Sequence, residues 1–502
     1  MAYKYYRAKL KLINSRRPKV MMITYPQSSQ RAWAKALSQP AKEFELTPLP
    51  ILSGQIPEGL CGTLYRNGPG RLERGTRRVG HWFDGDGAIL AVHFTKEGAK
   101  GIYRYVKTKG YLAEEKAGKF LYSNYGMTEP GPIWNYWLRL LTKNDLLKNT
   151  ANTSVLALPD LLLALWEAGN PHALDLQTLE TQGLNNLGGL APHQPYSAHP
   201  KRDPQTGEIY SIGIDEKFTL HLYRSNRTGQ IVQQAAVKLN DVPFLHSFVL
   251  AGQYLVFFIP PLGLNQLPML LGLSSYCDAL QWQPSKGTRI LVVERETLEV
   301  VSRGETEPWF QWHFGNGCVE ADGSVRLDLV RFSDFNQTNE YLREIATGQT
   351  HTPACGTLWQ VRLNPQTSKV IEMQQVIDRC CEFPVVQPQQ VGQSWRYTYL
   401  ALHRRSAEIG REWFGALARF DYQTGTLSEA DLGKNRYVVE PIYAADALNP
   451  ERGWVLTVVY DGNIDRSEVW VFEEGSLNEE PVCRLGLPEI IPISFHGTWK
   501  PA

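Results

Sequence analysis

Four of the 11 histidines stand in unusual company. His199 lies in Tyr196-Ser-Ala-His-Pro200, His246 in Val242-Pro-Phe-Leu-His-Ser-Phe248, His313 in Trp309-Phe-Gln-Trp-His-Phe-Gly-Asn316 and His496 in Ile493-Ser-Phe-His-Gly-Thr-Trp499. Each marks a strand boundary with apolar or aromatic residues beside it. A neutral imidazole has a lone pair to give, so the chemistry these residues offer is metal ligation. No two of them sit at a local metal-binding spacing, and taken singly each reads better as a satisfied core or surface histidine than as a ligand. They become one site only if the fold aims several separate strand ends at a common point. Other chemistries are missing: there is no nucleophile elbow, no glycine-rich phosphate loop and no zinc-protease motif. Asp84-Gly85-Asp86-Gly87 lacks the distant glutamate of a calcium loop and reads as tight turns.

The elements that would have to position these histidines are strands. The chain of 502 residues is 43% apolar and 21% charged, which is ordinary globular material. Its 42 glycines and 31 prolines, beside 11% aromatics, favour short strands and tight turns. Helical periodicity is scarce after residue 170, and short runs rich in Val, Ile, Tyr, Phe and Trp recur instead, from Ile209–Ile214 through Tyr397–Leu402 to Val469–Phe472. The turns between them repeat a form, [Asp/Asn/Ser]-x-x-Thr-[Gly/Ser]: Asp203 to Gly207, Ser225 to Gly229, Asn364 to Ser368 and Asp421 to Gly425. The first side chain caps the turn and the last residue takes positive φ. One hairpin recurring over so long a stretch predicts radial repetition, an all-β propeller. The turns keep no strict period, so they do not number the blades.

Residues 254–277 carry no charge, but Pro260, Pro261, Pro268, Asn265 and Gln266 argue against a membrane span. What remains is an apolar segment at 262–273, and a second lies at 133–141. Two readings stand for both: buried core, or a patch that dips into a membrane surface without crossing it. The net charge of +1 excludes a generally basic, nucleic-acid-coating surface. It conceals an asymmetry. Ten basic and no acidic residues precede Glu43, and the remainder carries 42 positive against 51 negative charges. Residues 1–42 are therefore expected to form a basic arm, either solvated, lipid-facing or a processed presequence, ahead of a single domain at 43–502. Seven cysteines without framework spacing predict free thiols in a reducing compartment.

From about Leu46 to its end the chain resembles the carotenoid cleavage oxygenases, especially the bacterial carotenoid and apocarotenoid type. The likeness is carried by Gly62-Thr-Leu-Tyr-Arg-Asn-Gly-Pro69, His81-Trp-Phe-Asp-Gly-Asp-Gly87, the four histidine blocks, and three glutamate blocks around Glu167, Glu382 and Glu440. One departure follows His313, where Gly317 replaces the usual alanine after Asn316. The resemblance implies a seven-bladed propeller with a helical and loop dome over an axial Fe(II). His199, His246, His313 and His496 would bind the iron, and Glu167, Glu382 and Glu440 would accept from the far nitrogens of three of them. Imidazole suits Fe(II), and four ligands leave positions open for O₂; Zn(II) would close the site and lack redox chemistry. The implied reaction is dioxygenase cleavage of a carotenoid or apocarotenoid C=C bond to aldehydes. Phe244, Phe248, Trp309, Phe310 and Phe495 are candidate walls of a polyene tunnel whose mouth faces lipid at the two apolar segments. The implied protein is cytoplasmic and peripheral on the membrane. Stilbene-cleaving and retinyl-ester-isomerising relatives, and a non-enzymatic propeller scaffold, are the alternatives. Which bond is cut and the oligomeric state are not legible.

Overall fold

The computed structural model describes residues 31–142, 147–239 and 242–502. They form a seven-bladed β-propeller of antiparallel sheets. Blades two to six are consecutive four-stranded meanders, in which strands such as Tyr254–Ile259 are buried on both faces by neighbouring blades. Their edge strands begin the blades: Ser154–Ala157, Lys201–Arg202, Val249–Ala251, Phe310–Val319 and Cys381–Val385, with Phe310–Val319 packed against the two on either side. The ring closes twice. Gly497–Pro501 pairs with Gly62–Arg71 in blade one, and Ile51–Gly54 pairs with Cys483–Gly486 in blade seven.

The strands expected from Ile209 to Phe472 are all present. The repeated turn proves to be the third hairpin of blades three, five and six, and Asp203 uses it once more within blade three. In the Ser225 turn the cap is Asn226, one residue later than expected, accepting from the Thr228 amide at 3.0 Å. Blades two and four carry the same turn in disguise. Asp175 and Glu294 cap it, and Leu179 and Leu298 take the positive φ (55° and 60°) where glycine would announce it.

Several other expectations are corrected. Arg31–Lys42, counted with the basic arm, is seated on the propeller. Its Ala32–Leu37 turn buries Trp33, whose indole N–H donates to Arg411 O at 2.9 Å. Residues 1–30 lie outside the described residues. The Asp84–Asp86 region is more than turns. Asp84 accepts the amides of His81 and Gly126, and Asp86 pairs with buried Arg74 and Lys148. Cys355 and Cys380 are joined in a disulfide, so not all thiols are free. Their separation of 25 residues has no local signature, because blade packing is what brings them together. The helix Phe335–Ile345, capped by Asp334, was not anticipated; with Lys109–Ala117, Ile133–Thr142 and Gln266–Leu270 it builds the dome. Among the described residues no helix is long and apolar enough to cross a membrane.

Candidate metal centre

The four histidines converge. His199, His246 and His496 lie within three residues before the inner strands of blades three, four and one, and His313 lies within that of blade five. Their metal-binding atoms all lie within 4.8 Å of one another. The chain supplies this by interrupting its own regularity. The ladder of Phe310–Val319 slips between Gln311 and Phe314, which turns His313 towards the axis. Cys381–Val385 slips just after Glu382, where Phe383 holds φ 57°. A left-handed phenylalanine is costly, and such strain collects where a side chain must be re-aimed. Gly317, the departure noted above, is explained by packing: a Cβ there would lie 2.4 Å from Val249 Cγ1 of the next blade.

Each predicted glutamate meets one imidazole. Glu167 pairs with His246 Nδ1, Glu382 accepts from His313 Nδ1 at 2.6 Å, and Glu440 from His496 Nδ1 at 2.8 Å. His199 has no carboxylate among these partners. Arg66, fully buried, anchors the Glu440 side. It donates to the Glu440 and Phe495 carbonyls at 2.8 Å each and lies 3.5 Å from the Glu440 carboxylate. Burial drives Glu440 upward, but His496, Arg66 and the Gly497 amide hold it below its ordinary value. Burial and the neighbouring imidazoles keep His199 well below its usual range, and burial brings His496 down to about 4 against the pull of Glu440.

A neutral imidazole that gives its Nδ1 proton to a carboxylate has only a lone pair left at Nε2. His246, His313 and His496 each set Nδ1 against a carboxylate, and their Nε2 atoms face one another at 3.2 Å (His246 to His313) and 3.1 Å (His313 to His496), with His199 Nε2 2.9 Å from that of His246. Facing lone pairs repel. A cation among them converts the contact into ligation, and the carboxylates behind raise ligand basicity. With metal–nitrogen bonds of about 2.1 Å, right-angle ligands lie about 3.0 Å apart and tetrahedral ones about 3.4 Å apart. The three spacings of 2.9–3.2 Å are close enough for one ion to be shared among these rings.

The family described as Retinal pigment epithelial membrane protein (RPE65) matches residues 37–501. The chain belongs to the RPE65/carotenoid oxygenase family. It is 34% identical to the apocarotenoid-15,15'-oxygenase of Synechocystis sp., over 95% of this chain and 99% of that one. Identity is 26% both to carotenoid 9,10(9',10')-cleavage dioxygenase 1 of Arabidopsis thaliana (89% and 86% covered) and to resveratrol cleavage oxygenase 1 of Aspergillus fumigatus (89% and 91%). The solved structure of a cobalt-substituted Synechocystis ACO matches with a TM-score of 0.84 at 33% identity, covering 94% of this chain and 99% of that one.

In this member of the oxygenase family a cavity of about 1580 Å³ reaches His246, His313 and His496. Phe244 and Phe495 line it as expected. Phe248, Trp309 and Phe310 do not: they are fully buried in blade cores, where Phe248 stacks on Phe257 and Trp309 packs against Phe258. Walls that the sequence reading missed include Phe83, Trp312, Phe383 and Phe414. Trp312, beside His313, was findable, but the slip in its strand breaks the alternation that would have assigned it a side. At the outer end the cavity passes Tyr136, Leu140 and Leu270. Here both apolar segments lie exposed and adjoin, with the Tyr136 hydroxyl donating to Leu270 O at 3.2 Å. Trp134 is 67% exposed, Leu141 80% and Leu273 68%, so 133–141 and 267–273 are surface, while Leu262, 1% exposed at the start of the second segment, is core.

Proposed function

We propose that the protein is an iron(II)-dependent oxygenase that cleaves one double bond of a carotenoid or apocarotenoid, placing both atoms of O₂ in two carbonyl products. The observation that carries the reading is the set of imidazole Nε2 atoms facing one another at 2.9–3.2 Å, opening on an apolar, ring-lined cavity. His199, His246, His313 and His496 would hold the ion, with Glu167, Glu382 and Glu440 fixing three of the rings. Iron(II), when bound, supplies the redox chemistry that lets O₂ react with a polyene. The chain's own part is positional. Phe83, Trp312 and Phe383 flank the centre and hold a rigid conjugated chain against it, so that one bond is presented. Buried walls exclude water, and no proton transfer is asked of a side chain.

The same reading seats the cavity mouth on lipid, with the protein peripheral and cytoplasmic. A carotenoid is insoluble, and the exposed residues Trp134, Leu138 and Leu141, beside Leu267, Leu270 and Leu273, would let it pass from bilayer to cavity without crossing water.

The test is anaerobic reconstitution with iron, metal analysis, and incubation in detergent with apocarotenals, intact carotenoids and resveratrol, followed by mass spectrometry of the carbonyl products. Stoichiometric iron and apocarotenoid cleavage are expected. Failure to retain iron, or cleavage of the stilbene alone, overturns the proposal.

A further inference from the structure

Past the four-histidine centre the cavity runs into a chamber whose walls are buried: Phe383, Phe414, Trp413, Trp82 and Phe495. Phe383 links it to the centre, its ring 5.5 Å from both His313 and His496. Set among these rings is His403, 4% exposed. It stands at the end of strand Tyr397–Leu402, next to the strand that carries Glu382. Its position is held from both sides. The amide donates to Cys380 O at 3.0 Å, the carbonyl accepts from Arg379 Nη2 at 2.6 Å, and the ring lies 4.5 Å from that of Phe414.

The imidazole itself has no partner. Nδ1 is buried without a hydrogen bond, and no described residue bonds Nε2. Burial, reinforced by Arg404 and Arg379, pushes the ring's pKa down to about 3, so it is neutral. A neutral imidazole offers one donor and one acceptor. A phenylalanine would line this aromatic chamber without desolvating two ring nitrogens. What meets an unpartnered imidazole in an apolar chamber is an isolated oxygen on an otherwise hydrocarbon ligand.

We propose that His403 is a specificity-determining residue, hydrogen-bonding a hydroxyl or carbonyl oxygen on the inner terminus of the polyene, so that oxygen-bearing substrates are preferred over hydrocarbon ones. This rests on the function proposed above. His172 provides a built-in comparison. It is also 4% exposed, lines the cavity in blade two beside Asn170 and Leu184, and has an unpartnered Nδ1.

The experiment uses the iron-loaded full chain and three polyenes of one length: ring-hydroxylated, aldehyde-terminated and oxygen-free. Binding is read by quenching of tryptophan fluorescence, and cleavage by kcat and KM. Wild type is expected to bind one oxygenated polyene on the order of tenfold more tightly than the oxygen-free one. Which one it is tells whether a hydroxyl or a carbonyl meets His403. His403→Phe should erase that preference while leaving iron content and oxygen-free binding unchanged. His403→Met carries the same test if the phenylalanine variant does not fold. His172→Phe should leave the preference intact. Equal binding of all three by wild type, a preference that survives His403→Phe, or one erased by His172→Phe overturns the proposal. If wild type binds and cleaves no polyene at all, the proposed function falls with it, which separates the two failures.

Discussion

A carboxylate behind an imidazole fixes which nitrogen carries the proton, and it adds charge that strengthens the lone pair on the other. These effects separate in Glu382→Gln. The amide oxygen still accepts from His313 Nδ1, but the charge is gone, and metal affinity should fall about 10- to 100-fold in chelator competition. His246→Ala removes one of the four proposed ligands and should abolish stoichiometric metal, measured on the purified variant. Arg66 is a different case, because its guanidinium ties Glu440 to the Phe495 carbonyl beside His496. Arg66→Met leaves the buried Glu440 carboxylate with only the His496 ring and the Gly497 amide, and should lower stability by about 1–3 kcal/mol in urea unfolding. The histidines were legible as candidates from their apolar neighbourhoods. The glutamates were legible only through the family likeness, since nothing in Leu163-Ala-Leu-Trp-Glu167 by itself points at an imidazole in another blade.

Among the elements, the recurrent turn shows burial and backbone preference in competition. Leu298 holds φ 60° yet is 2% exposed, packed in the core between blades three and four. Glycine would remove about 1–2 kcal/mol of left-handed strain, but deleting a buried leucine costs about 2–5 kcal/mol. Burial wins. Leu298→Gly should destabilise by about 1–3 kcal/mol, read from the denaturant midpoint. The same competition hid the turns of blades two and four from the sequence and with them the blade count. The dome segments Ile133–Thr142 and Gln266–Leu270 are the other informative elements. Trp134→Lys with Leu271→Lys should reduce liposome co-sedimentation about tenfold or more, since each fully buried large apolar side chain is worth about 1.5–3 kcal/mol. Cleavage in detergent should be unchanged. Binding untouched by both substitutions would remove these segments as the lipid contact.

At the scale of the molecule, the ring closure and the metal centre share one strand. Gly497–Pro501 completes blade one, and His496 is the residue before it. A chain ending at His496 keeps all four histidines but loses this seam. It should bind metal poorly and melt at a lower temperature than wild type by calorimetry, whereas a chain lacking only Ala502 should match wild type. Blades one and seven close with strands from opposite ends of the chain, so a ring opened there frees both seams, and a site built from four blades cannot tolerate their drift.

By itself the sequence determined the class of element, the repeated hairpin, the four imidazoles and, through the likeness, their carboxylates. These are properties of local pattern: alternation, turn chemistry and residue type travel along the chain. Only the tertiary structure decided which glutamate meets which histidine, that Cys355 meets Cys380, and that Phe248, Trp309 and Phe310 are core while Phe383 and Phe414 are wall. It also decided that two apolar segments far apart in the chain form one exposed mouth. Each of these depends on contacts between blades, or on a one-residue slip in a ladder. A slip turns a side chain to the opposite face without leaving a mark in the amino-acid pattern.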